Sequence, residues 1–172
     1  MPYDPDTTAV VVVDMQNGFC HPDGSLYAPA SEAAVDDVAA LVDRAHDAGA
    51  RGVYTREHVL EGSWEAELVD ELDVAPADHV VEKHTYDAFH ETDLDGWLSA
   101  RGIDDLLICG TLANVCVLHT AGSAGLRDYR PVLVEDAIGY IDEADHEYAL
   151  DHADWLFGET TTRDAVGFRP TC

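Results

Sequence analysis

Three residue types in this chain could do covalent chemistry together: a cysteine, a lysine and an aspartate. The cysteine is Cys116, in the stretch LLICGTLANVCVLHT from Leu106 to Thr120. An apolar run ends at Gly110, and six residues later Cys116 stands near the start of a helix. A thiol is a weak nucleophile until it ionises, and a helix N-terminus and a nearby cation both lower its pKa. Lys83 could supply that cation. Asp14 could take the thiol proton as general base and return it to a leaving group as general acid. The backbone N–H groups around Ala113 to Cys116 could hold the oxyanion of a tetrahedral intermediate. Such a set performs acyl transfer without histidine. Each residue also has a blander reading. Free cysteine is among the most buried residue types, an aspartate closing a strand is often a cap or loop former, and a lysine at a strand end can simply reach solvent. Taken singly, these readings win; at three strand ends together, the balance turns toward chemistry.

The elements that would place these residues alternate strand and helix. TAVVVVD (Thr8–Asp14) is a continuous β-branched run, the pattern of a parallel strand buried on both faces. SEAAVDDVAALVDRAHDAG (Ser31–Gly49) reads as an amphipathic helix. Ser31 is its expected N-cap, Val35, Val38, Leu41, Val42 and Ala45 share one face, and Gly49 is the stop. Further strands are expected at Arg51–Thr55, Asp78–Lys83, Asp105–Gly110, Arg130–Asp136 and Thr160–Val166. Helices are expected at Ser63–Leu72, Thr92–Gly102, Asn114–Tyr129 and Asp142–Gly158. This alternation predicts one α/β domain over residues 1–172, a three-layer α/β/α sandwich with a mostly parallel, Rossmann-like sheet. Sites in such sheets form beyond the carboxyl ends of the strands. Asp14, Lys83 and the 110–116 loop all fall there.

Composition narrows the function. The 172 residues carry a formal net charge of -26, from 35 acids against 9 bases. That field repels nucleic acid and anionic membranes, so neither is an expected partner. The acids fall in segments that also carry apolar periodicity, as solvated faces of folded elements do. Lys83 is the only lysine among the bases; the others are arginine. An acid-rich, lysine-poor surface resembles proteins of salt-loving archaea, because high salt screens its self-repulsion. In that background a retained lysine is a candidate for a specific task. The four cysteines, Cys20, Cys109, Cys116 and Cys172, form no CxxC pair, so no zinc site is indicated. No signal peptide and no membrane-spanning run is visible, and a cytoplasmic location with reduced thiols is expected.

The motifs resemble those of the isochorismatase-like cysteine hydrolases, the superfamily that contains the nicotinamidases. VVVVDMQNGF resembles its opening motif, VEKHTYDAFHETDLDGWL its lysine motif and ICGTLANVCVLHTA its nucleophile motif. The likeness covers nearly the whole chain in the right order. It implies Asp14 as base, Lys83 as activating cation and Cys116 as nucleophile. It also implies a cis peptide before Ala113, with Leu112, Ala113 and Cys116 forming the oxyanion hole. Ala113 stands where the family usually has threonine. Phe19, Trp64, Tyr86 and Phe89 are expected pocket walls, and His84 and His119 could join them.

One region departs from the family. Nicotinamidases bind a metal through an Asp-x-His after the second strand and a later histidine. Here only His58 matches the last ligand, and the stretch between Arg56 and Glu57 that should carry the others is absent. One histidine cannot hold a divalent metal. No cofactor is therefore expected; a divalent metal such as zinc would need a further loop between Arg56 and Glu57. The resemblance implies hydrolysis of a small amide, with nicotinamide to nicotinate as first substrate. A ureido or carbamoyl compound comes next, then an isochorismatase-type vinyl ether, then a non-catalytic member of the fold. A homodimer or homotetramer is expected.

Overall fold

A run of valines with no polar alternation must be covered on both sides, and β1 (Thr8–Val13) is buried at every position. In the computed structural model, which describes residues 2–58 and 61–170, it lies at the centre of a six-stranded sheet. The other strands are β2 (Arg51–Glu57), β3 (His79–Lys83), β4 (Asp105–Gly110), β5 (Arg130–Ile138) and β6 (Glu159–Thr161). Their order is β3-β2-β1-β4-β5-β6, and every pairing is parallel. Alternate valines of β1 serve opposite layers. Val10 and Val12 join Leu107, Cys109 and the buried face of α3 (Val35–Ala48), which is Val35, Val38, Leu41, Val42 and Ala45. Val11 and Val13 join Leu106, Ile108 and residues of α4 (Leu94–Ser99), α5 (Leu118–Gly125) and α6 (Glu143–Leu156). This is the doubly wound α/β/α architecture expected.

Element boundaries depart from expectation where tertiary contacts outweigh local pattern. The first long helix begins earlier, as α2 (Pro29–Ala33), with Pro29 pre-set for the first turn. Ser31 is thus inside the helix and not its cap; its hydroxyl is 2.6 Å from that of Thr111. Gly49 does end α3, at φ 89°. The helix expected over Ser63–Leu72 is a single 3-10 turn, Trp64–Ala66. The chain beyond it bonds instead to the loop after β1, with Val69 N–H donating to the Met15 carbonyl at 3.0 Å. The helix expected from Asn114 opens with one π-helical turn, Ala113–Val117, before α5. The strand expected over Thr160–Val166 stops at Thr161 and gives way to a 3-10 turn, Arg163–Ala165. A short helix, α1 (Asn17–Cys20), was not expected. Cys172 lies outside the described residues. No helix among them is long and apolar enough to cross a membrane.

Two features of the sheet position the site. Successive connections diverge from the centre between β1 and β4, and the crevice at that switch point opens beyond the ends of both strands. Asp14 follows β1, and the 110–116 loop follows β4. In addition, β2 runs unbroken across Arg56 and Glu57, so that Glu57 sits beside Lys83 at the end of β3. Gly110 makes the closest backbone approach at the crevice. Its φ is 107°, and a Cβ there would lie 2.2 Å from the Val13 carbonyl oxygen. Gly110→Ala should cost about 2 kcal/mol or more, read as a lower thermal unfolding midpoint.

Candidate active site

The lysine ammonium is the hub of the site. Lys83 is fully buried, yet its Nζ lies 2.7 Å from Asp14 Oδ2, 2.8 Å from Glu57 Oε2, 3.0 Å from the Thr85 carbonyl and 3.6 Å from Cys116 Sγ. A buried charge is tolerated only when paired and hydrogen-bonded, and these contacts meet that need. The three expected residues therefore do come together.

Asp14 is held by its neighbour strand. Its backbone is left-handed, at φ 51°, a conformation that aspartate adopts more readily than most residues. Its N–H donates to Thr55 Oγ1 at 3.1 Å, and the Thr55 hydroxyl donates back to Asp14 Oδ1 at 2.5 Å. Asp14 Oδ2 touches the ammonium as an ion pair, but no hydrogen-bond donor is aligned on it. That oxygen keeps lone-pair capacity for a proton, and Cys116 is the adjacent acid.

The ionisation pattern differs from the expected low-pKa thiol. Burial pushes the Cys116 thiol up, the Asp14 charge adds to this, and Lys83 opposes both. Burial likewise raises Asp14, with Lys83 and the Thr55 hydroxyl pulling the other way. For Lys83 burial acts downward, but Asp14, Cys116 and Glu57 hold its pKa above the ordinary value. Burial thus favours the protonated thiol at Cys116, while the Lys83 ammonium offsets the cost of charge on Asp14. Proton transfer from Sγ to Asp14 leaves the total charge of the site unchanged, because the thiolate replaces the carboxylate as partner of the ammonium.

The nucleophile loop is clamped from below. Ala113 N–H donates to the Gly139 carbonyl at 2.9 Å, and Gly139 N–H donates to the Gly110 carbonyl at 2.8 Å. The cis peptide joins Thr111 and Leu112, one residue before the position expected. Ala113 is therefore not an oxyanion donor, since its amide is already bonded. Leu112 and Cys116 face the cleft; Ala113 does not line it.

That cleft has a volume of about 570 Å³, in the range of small-molecule sites. Phe19 and Tyr86 line it as expected, together with Leu26, Glu57, His84, Thr85 and Val115. Trp64 and Phe89 do not. Trp64 belongs to a separate hollow with Asn17 and Cys20, edge-on to His21 at 4.9 Å, because its segment is not the expected helix. Phe89 is core, stacked on Tyr129 at 5.7 Å beneath the Arg127 guanidinium. His119 bonds the Val115 carbonyl at 2.6 Å and stays off the cleft wall. Glu57 and Thr55 were missed. The signal for Glu57 was its place at the end of β2, which only the β2–β3 register converts into contact with Lys83.

The donor set does not fit the nicotinamidase metal. Among the described residues, one group of three potential ligands lies close together: Asp14, Glu57 and Cys116, with ligand atoms within 4.8 Å of one another. The Lys83 ammonium already sits against all three. His58 is paired with Glu61 at 2.7 Å and stacks on His84 at 4.2 Å between centroids, outside that group.

A doubly wound sheet with a buried Asp–Lys–Cys cluster at its switch point defines an α/β protein built for chemistry at that crevice. The chain belongs to the isochorismatase family: the isochorismatase domain matches residues 8–165. It is therefore an isochorismatase-family hydrolase. It is 30% identical over 201 residues to the ureidoacrylate amidohydrolase RutB of Azorhizobium caulinodans, with 91% of this chain and 87% of that protein covered. A cysteine hydrolase from Pseudomonas syringae pv. phaseolicola matches with TM-score 0.89 and 30% identity, over 95% of this chain and 92% of that one. N-carbamoylsarcosine amidase from Thermoplasma acidophilum matches with TM-score 0.82 and 31% identity, over 93% and 98%. The described cysteines Cys20, Cys109 and Cys116 are free. Iodoacetamide should label Cys116 slowly at neutral pH, with the rate rising about tenfold per pH unit in alkali as the thiolate fraction grows. Peptide mapping against time checks this; fast labelling at neutral pH would contradict it.

Proposed function

We propose that this protein hydrolyses the C–N bond of a small amide through a thioester on Cys116. The observation that carries the reading is the single buried ammonium that touches both Asp14 and Cys116. Cys116 Sγ attacks the amide carbonyl carbon while its proton passes to Asp14 Oδ2. The N–H groups of Leu112 and Cys116 hold the oxyanion, in place of the expected set that included Ala113. Collapse breaks the C–N bond, and Asp14 returns the proton to the departing nitrogen as ammonia leaves. Water then attacks the thioester and gives a proton to Asp14. The C–S bond breaks, the carboxylic acid departs, and the proton returns to Sγ. Lys83 neutralises whichever of Asp14 and Cys116 is the anion at each stage.

Nicotinamide is the first substrate to try. The names of the relatives favour a second reading, a ureido or carbamoyl compound. A vinyl-ether hydrolase needs no cysteine nucleophile, and a non-catalytic scaffold needs no buried thiol beside a carboxylate. No step requires a metal. A cytoplasmic, homo-oligomeric enzyme working in high salt fits the acidic surface and the free thiols. Ammonia release from a panel of small amides in high salt should vanish in Cys116→Ala. It should fall by about 10²- to 10⁴-fold in Asp14→Asn and Lys83→Met, the range typical of a lost acid–base or activating group. Undiminished release by Cys116→Ala would sink the mechanism.

A further inference from the structure

Glu57 gives the cleft a charge that the Asp–Lys–Cys set alone does not require. Two acidic side chains, Asp14 and Glu57, face one ammonium at 2.7 and 2.8 Å. Acidic side chains therefore outnumber the ammonium at the floor of the cleft. Asp14 is sealed from solvent, while the Glu57 side chain is 14% exposed and lines the cleft. Lys83 engages Oε2, and among the described residues nothing bonds Oε1. Among the described lining residues no arginine offsets the Glu57 carboxylate. Arg56, next in sequence, is paired with Glu82 on the far side of the strand. His84 is the other basic side chain among the described lining residues. Of the remaining wall, Phe19, Leu26, Leu112 and Val115 are apolar, and Thr85 and Tyr86 each bring a hydroxyl.

From this, and resting on the amidase reading above, we infer that Glu57 makes the site selective for uncharged amides over amides that carry a carboxylate. Its free oxygen accepts an N–H of the substrate, and its charge repels a carboxylate confined to the same cleft. Coulomb repulsion across such a distance corresponds to roughly ten- to a hundredfold in affinity. The same field drives out the carboxylate product, which is anionic although the amide was not. The cleft therefore differs in charge preference from one that takes ureido acids.

The test uses pairs matched except for charge: N-carbamoylglycine against its methyl ester, and a carboxybenzamide against benzamide. Ammonia release should favour the neutral member by at least about tenfold in kcat/KM, mainly through KM. Glu57→Gln keeps a hydrogen-bonding oxygen for Lys83 but removes the charge. Any harm it does to Lys83 is shared by both members of a pair, so the ratio within the pair is the readout. That ratio should shrink toward one. Calorimetric binding of the same pairs to Cys116→Ala reads the preference without turnover, so a failed amidase reading and a failed selectivity reading are told apart. Equal or better use of the anionic member, a ratio unmoved by Glu57→Gln, or no binding of either member would overturn the inference.

Discussion

A single ammonium, buried without contact to water, sets the terms for the whole site. Taking such a charge out of water costs several kcal/mol, recovered only with close and well-directed partners. Lys83 has two carboxylates, a carbonyl and a thiol within reach. Those partners come from three strand ends and the loop after β4, so the ion cluster forms only when the sheet has closed in register. The requirement runs both ways. The sheet must bring β1, β2 and β3 level with one another, and the charge then penalises any arrangement that separates them. Activation of the thiol is a by-product of this balance: the ammonium keeps one anion beside it, and that anion can be carboxylate or thiolate.

The nucleophile loop depends on contacts from distant parts of the chain. Ser31, in α2, meets Thr111 through paired hydroxyls, and Gly139, after β5, holds Ala113 through its carbonyl. Gly139 is also pressed against Ser31, where a Cβ would lie 2.5 Å from the serine hydroxyl. These contacts tie the turn to α2 and to the segment after β5. Cys116 then occupies a π-helical turn, a feature often found at functional sites.

Much of this was legible from residue types. A run of valines closed by aspartate, a lone lysine at a strand end and a cysteine after a glycine named the cluster, because each sits where a parallel sheet opens to ligands. Local pattern could not supply facing. Trp64 is an expected pocket wall, but its segment bonds to the loop after β1 and its indole lines a separate hollow. Phe89 lies within the lysine motif, yet the turn folds it under Arg127. Ser31 had every mark of a cap, and only a partner 80 residues away gives it another task. The thiol is the sharpest case. Helix start and lysine both argued for a lowered pKa, and burial beside a carboxylate outweighed them. Glu57 lay hidden because its role is a register relation between two strands.

The surface left behind by this arrangement has an odd chemistry. Lys83 is the chain's only lysine, and it is sealed inside. Every other side-chain cation that stays charged at all working pH values is a guanidinium. Enzymes that acetylate or tag lysine, glycating sugars, and reagents that conjugate ε-amines find no such amine on the folded exterior. If one of these reagents does reach Lys83, the fold has already opened, so modification of that one amine reports the loss of the native state.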